Sequence, residues 1–136
     1  MTSQRTWPIL EITMLKGSST ASMDRWGRVS IPSDFLKTFK EKFGNEVFVT
    51  STDDRNLQIY PLAAWFELVD NLYKEKKDDP LLSQFLMKTN YNGQRARIDR
   101  YGSIQIHSFL MKKIKLEGKI NIEGREDHLE LMPEHM

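Results

Sequence analysis

Met23-Asp24-Arg25-Trp26-Gly27-Arg28-Val29-Ser30-Ile31-Pro32-Ser33 recurs in the second half of the chain as Ile98-Asp99-Arg100-Tyr101-Gly102-Ser103-Ile104-Gln105-Ile106-His107-Ser108. In each copy an aspartate and a glycine bracket two residues, the pattern of a tight turn. Glycine takes the positive φ that L side chains resist, and the aspartate can accept hydrogen bonds from the turn's own amides. A short apolar-polar alternation follows, which predicts a strand. Each copy then carries a brief apolar-periodic segment, with Phe35, Leu36, Phe39 and Phe43 in the first and Leu110, Met111 and Ile114 in the second. These predict a short helix opened by Ser33 or Ser108 as N-cap and stopped at Gly44 or Gly118.

Beyond the helix, Val47-Phe48-Val49 and Ile120-Asn121-Ile122 alternate as β-strands do. Polar turns (Ser51 to Asn56 and Glu123 to Asp127) lead to Leu57-Gln58-Ile59-Tyr60-Pro61 and Leu129-Glu130-Leu131-Met132-Pro133. Each half reads strand, tight turn, strand, short helix, strand, turn, strand. A unit this small does not bury a core by itself. The two copies are therefore expected to serve as each other's partner, a covalently fused pseudo-dimer whose strands close one small barrel or sandwich about a pseudo-two-fold axis. The fold class is mainly β with helices (α+β).

Between the copies, Leu62, Trp65, Phe66, Leu68, Val69, Leu72 and Tyr73 recur at helical spacing. Asp79-Pro80 then reads as an N-cap and first-turn proline opening a second helix that carries Leu81, Leu82, Phe85 and Leu86. A helical hairpin is expected to join the halves. The resulting division is 1-13 as an N-terminal extension, 14-66 as the first repeat, 67-94 as the connector and 95-136 as the second repeat, with 14-136 forming one compact domain.

Composition narrows the function. Of the 136 residues, 39% are hydrophobic and 29% charged, enough apolar material for a globular core. Twenty Lys and Arg against nineteen Asp and Glu leave +1, so binding to nucleic acid would have to rest on local patches. The absence of cysteine excludes a disulfide framework and a thiolate centre. With no long apolar run and no signal-peptide pattern, the cytoplasm is the expected compartment. His107, His128 and His135 are scattered, the glycines are dispersed, and the acidic pairs Asp53-Asp54 and Asp78-Asp79 sit in turns. No metal, cofactor, catalytic residue or small-molecule substrate is expected from that pattern.

The basic residues cluster where the repeat does: Arg25 and Arg28 on the first turn, Arg100 on the second, with Arg95 and Arg97 just before it. Arginines on a projecting turn can reach phosphates and base edges. Asp24 to Pro32, the second copy from Asp99, the Leu57 to Trp65 segment and the Met14-Leu15-Lys16-Gly17 start together resemble the MraZ family of transcriptional regulators, in the AbrB/SpoVT-like superfamily. The resemblance runs from Met14 to Pro133. It implies a swapped-hairpin barrel and a DNA-binding regulator that assembles into ring-shaped homo-oligomers. Such a ring would be nucleoid-associated and act on promoter direct repeats upstream of a division and cell-wall gene cluster.

Residue by residue, Asp24, Gly27 and Arg28 match the signature in the first copy, and Asp99 and Gly102 match it in the second. Two departures stand out. Ser103 replaces the motif arginine and His107 stands where the first copy has Pro32. For Arg28 we weigh a DNA contact ahead of an ion pair with Asp24. Arg25 and Arg100 are candidate DNA contacts, weighed evenly against structural roles, and Arg97 and Lys16 are candidate phosphate contacts. For Trp26 and Tyr101, packing against each other is weighed ahead of stacking on DNA. The acidic stretch from Glu117 to Met136 suits head-to-tail association with the basic turns of a neighbour. The rival readings are an oligomeric interaction protein of the same fold without DNA recognition, and an AbrB-like antitoxin or broad regulator.

Overall fold

The computed structural model describes residues 15–134, so the expectations for the N-terminal extension, for Met14 and for His135 lie outside the described residues. The chain order is β1 (Ser18–Met23), β2 (Arg28–Ser30), α1 (Ser33–Thr38) running into a π-helical turn (Phe39–Phe43), β3 (Glu46–Thr50) and β4 (Leu57–Pro61). Next come α2 (Leu62–Lys76), α3 (Pro80–Asn92), β5 (Gln94–Arg97), β6 (Ser103–Gln105), α4 (Ser108–Ile114), β7 (Gly118–Gly124) and β8 (Leu129–Pro133). The strand-turn-strand-helix-strand-turn-strand order expected of each half is the observed one.

All eight strands join one antiparallel sheet in the order β5-β3-β4-β8-β7-β1-β2-β6. The first strand of each copy leaves its own half. β1 pairs with β7 from Ser18↔Glu123 to Met23↔Gly118, and β5 pairs with β3 from Glu46↔Arg97 to Val49↔Gln94. Where like meets like the register is reciprocal: Leu57↔Leu131 mirrors Ile59↔Leu129 across Gln58↔Glu130, and Arg28↔Gln105 mirrors Ser30↔Ser103 across Val29↔Ile104. That is the pseudo-two-fold axis, and the exchange of hairpins makes this a swapped-hairpin barrel. The last gap, between β5 and β6, is bridged by side chains. Gln94 Nε2 donates to the Gln105 carbonyl at 3.1 Å, and the His107 amide donates to Gln94 Oε1 at 2.7 Å.

Alternation decides what fills the barrel. Val47, Val49, Leu57, Ile59, Ile120, Ile122, Leu129 and Leu131 are buried in a single cluster with Val29, Ile104, Ile106, Phe35 and Leu110. Each side chain contributes about 1.5–3 kcal/mol on full burial. Because both copies supply the cluster, neither half retains it alone. The outward-facing Phe48 and Tyr60 are roofed by α2, whose Trp65 stacks on Phe48 at 4.6 Å and meets the Tyr60 ring edge at 5.0 Å. Asp79 caps α3 as expected, accepting the Leu81 amide at 2.9 Å ahead of Pro80.

Two terminus assignments are corrected. Ser33 and Ser108 are the first residues inside their helices. The caps are Pro32 and His107, and neither makes a side-chain cap bond. Pro32 is already extended (ψ 147°) and its carbonyl accepts the Leu36 amide, so the turn begins one residue before the hydroxyl could cap it. Gly44 ends the first helix at φ 90°, but Gly118 opens β7, and Lys115 at φ 59° closes α4 in the left-handed conformation. The first copy has more residues between β2 and β3 than the second has between β6 and β7, and it accommodates them as the π-helical turn.

Three carboxylates tie this frame together and are held below their ordinary range. Asp54 is bound first by the Lys88 ammonium, then by the Asn92 amide and Lys113. For Asp53, burial pushes upward, but the Asn56 and Arg55 amides and the Ser51 hydroxyl outweigh it. Asp99 is held down by the Ser103 and Tyr101 amides and by Arg28. Each contribution is complete above the ordinary value of 3.8 and is lost as the pH falls through the lower folded value. Denaturant unfolding is expected to give equal stability at about pH 6 and about pH 5, and a clear loss by about pH 3. Equal stability at about pH 3 contradicts this.

Candidate nucleic-acid interface

The two motif turns are built identically. Asp24 Oδ1 accepts the amides of Trp26 and Arg28, both at 2.9 Å, while Asp99 Oδ1 accepts those of Tyr101 at 2.9 Å and Ser103 at 3.0 Å. The Asp24 amide donates to the Arg28 carbonyl at 3.0 Å and the Asp99 amide to the Ser103 carbonyl at 2.9 Å. Gly27 and Gly102 stand at φ 91° and 82°. Each turn is also fastened to the other copy, since the Gly102 carbonyl accepts the Ile31 amide at 2.9 Å and the Gly27 carbonyl accepts the Ile106 amide at 2.8 Å. Reciprocal bonding of this kind places both turns beside the short β2·β6 ribbon.

The tips project. Trp26 is 67% exposed and Tyr101 75% exposed. The Arg25 guanidinium lies 4.6 Å over the indole and the Arg100 guanidinium 5.0 Å over the phenol ring, with Arg100 Nη2 also donating to Tyr101 Oη at 2.9 Å. The expected packing of Trp26 against Tyr101 is therefore corrected. Each ring is occupied by its own neighbouring arginine and otherwise faces solvent, because the turns direct that position outward.

Arg28 has an intramolecular partner, but not Asp24. Its Nη1 meets Asp99 Oδ2 at 2.8 Å. Asp24 spends its bonded oxygen on its own turn, while the ribbon register carries Arg28 across to the second copy's turn. The position equivalent to Arg28 is Ser103, which is buried, with its hydroxyl 3.4 Å from that of Ser30. The guanidinium-carboxylate pair is thus made once where the pseudo-symmetry would allow it twice.

Arg28 is brought onto the second turn, beside Arg100, by its bond to Asp99, while Arg25 lies over the exposed ring of the first turn, whose Trp26 carbonyl is bonded to β6 through Gln105. Arg97 is on β5 and is bound to Glu46, which Arg95 also approaches at 3.7 Å, so its charge is partly neutralised. Lys16 is not brought there. It lies beyond the far end of β1, where Leu15 and Gly17 bond to Glu126 and Gly124, roughly 25 Å of extended chain from Asp24. Two residues that the sequence reading passed over also hold the site. Gln105 Nε2 donates to the Trp26 carbonyl at 2.6 Å, and Gln94 braces the chain after β6. Neither matches its counterpart in the other copy, so the repeat carried no signal for them. Among the described residues there is no cluster of three or more potential metal ligands and no helix long and apolar enough to cross a membrane.

Comparison with known proteins agrees with this architecture. A family model described as "MraZ protein, putative antitoxin-like" matches residues 14–86. The chain is 29% identical over 118 residues to the transcriptional regulator MraZ of Acidobacterium capsulatum, covering 87% of this chain and 81% of that protein. It is 30% identical over 122 residues to the protein of that name from Shewanella frigidimarina, covering 89% and 80%, and 27% identical over 119 residues to the one from Neisseria meningitidis serogroup A, covering 87% and 79%. The matched span takes in the first motif turn, the strands that follow it and most of the helical hairpin, and the chain belongs to the MraZ family.

Proposed function

We propose that this protein is a sequence-specific DNA-binding transcriptional regulator that acts in the cytoplasm, on the nucleoid, as a ring-shaped homo-oligomer. The observation that carries the reading is the pair of identically built turns, bearing Arg25 and Arg100 and joined by the Arg28–Asp99 bond beside a two-stranded ribbon. A ribbon of that width fits the DNA major groove, about 12 Å across. Arg28 is assigned to a base edge and Arg25 and Arg100 to flanking phosphates, with Arg97 adding to the local positive field. One such surface is small. Repetition around a ring, closed by the acidic stretch from Glu117 to Met136 of one subunit against the basic turns of the next, would multiply weak contacts on successive promoter repeats. The promoter expected is the one upstream of the division and cell-wall cluster. The working units remain 14-66, 67-94 and 95-136 within one compact domain.

Hydrogen exchange read by mass spectrometry, with and without a duplex from the DNA upstream of the protein's own gene, tests the reading. Protection is expected in peptides spanning Asp24 to Ile31 and Asp99 to Ile106, with little change in α2 and α3. A correctly assembled oligomer showing no protection at either turn overturns it. That result favours an interaction protein of the same fold, a reading supported by the engagement of Arg28 with Asp99 and by the serine at position 103.

A further inference from the structure

The Arg28–Asp99 pair crosses between the two copies, and it divides the work of one carboxylate. Asp99 Oδ1 is occupied by the Tyr101 and Ser103 amides, while Oδ2 is given to Arg28 at 2.8 Å. Only Nη1 of Arg28 is engaged, and no other side-chain bond of its guanidinium occurs among the described residues. A guanidinium has five N–H donors, and bidentate recognition of a guanine edge uses two. The pair therefore restrains a long, half-exposed side chain while leaving donors free for a base.

We propose that Asp99 is the positioning residue for Arg28: the degenerate second turn has kept its aspartate to aim the one motif arginine that remains. The assignment rests on the DNA-binding reading above. It makes an unusual prediction, because a carboxylate beside DNA also repels phosphates. Removing its charge strengthens binding to any duplex through the general electrostatic term, while freeing Arg28 weakens discrimination between duplexes. Asp24 is the first-turn counterpart of Asp99. It makes the same bonds to its own turn, but its second oxygen has no guanidinium among the described residues, because position 103 is serine.

The experiment measures dissociation constants of the assembled full-length protein for the upstream duplex and for a scrambled duplex of the same composition, at one salt concentration. Asp99→Asn keeps an acceptor oxygen for the turn amides; Asp99→Ser, with a hydroxyl acceptor, is the second variant should the first misfold. The ratio of scrambled to upstream dissociation constants is expected to fall about tenfold in Asp99→Asn, with scrambled binding unchanged or tighter. Asp70→Asn, which removes a carboxylate paired with Lys74 on α2 away from the turns, is expected to retain the wild-type ratio. Adding Asp99→Asn to Arg28→Ala is expected to cost no further discrimination. A wild-type ratio retained in folded Asp99→Asn, or a higher one, overturns the positioning role and leaves the DNA reading standing. No discrimination by the wild-type oligomer overturns the DNA reading, and this assignment with it.

Discussion

Gly27→Ala is expected to destabilise the protein by about 2–5 kcal/mol, the sum of a left-handed backbone forced on alanine and an overpacked contact. Gly27 stands at φ 91°, and a Cβ there would fall 2.6 Å from the backbone oxygen of Ile106 and 3.0 Å from the Met111 side chain. The oxygen cannot retreat freely. It sits on the segment whose Ile106 amide is bonded to the Gly27 carbonyl, so relief on one side strains that bond on the other. Gly118→Ala is the matched control, because Gly118 also has a positive φ, 75°, but a Cβ there meets nothing within 4 Å. Its expected cost is about 1–2 kcal/mol from the backbone alone. Thermal or denaturant unfolding compares the two. Equal losses would mean that the first turn is not clamped against the second copy as described.

Arg28→Ala is expected to do the opposite, leaving stability almost unchanged and removing most of the discrimination between DNA sequences. Its ion pair with Asp99 is half exposed and solvent-screened, so the fold loses little with it. A bidentate arginine-guanine contact is worth about 1–3 kcal/mol, so affinity for the upstream duplex should fall roughly tenfold to a hundredfold, with a smaller effect on a scrambled one. Arg25→Ala and Arg100→Ala, assigned to phosphates, should weaken both duplexes alike and lessen the salt dependence.

The elements that repeat were the legible ones. Val47, Val49, Ile120 and Ile122 show period-two alternation, and the fold puts all four inside the barrel. The Asp-x-x-Gly turns announced themselves by chemistry that local backbone geometry requires, and both formed. The partner of Arg28 is not legible in the sequence, because a contact between the copies sets it. Local spacing suggests Asp24, four residues away, as the partner of Arg28. The true partner is 71 residues away, set beside it by hairpin exchange. Pseudo-symmetry suggests Trp26 against Tyr101, yet each ring carries only the arginine beside it, a contact between sequence neighbours, and is otherwise exposed. Lys16 shares the charge of the turns, but β1 sets it at the opposite end. The helix stops failed for a smaller reason: a lysine in the left-handed conformation closed α4 before the chain reached its glycine.

The central claim is that the paired turns read DNA through Arg28. Fluorescence anisotropy of the assembled protein, with the upstream and scrambled duplexes at low and moderate salt and with Arg28→Ala alongside, tests it most directly. The account predicts preferential binding to the upstream duplex that weakens steeply with salt, and loss of that preference in the variant. Equal affinity of wild type and Arg28→Ala for the upstream duplex, or no salt-sensitive binding by the intact protein, would contradict it.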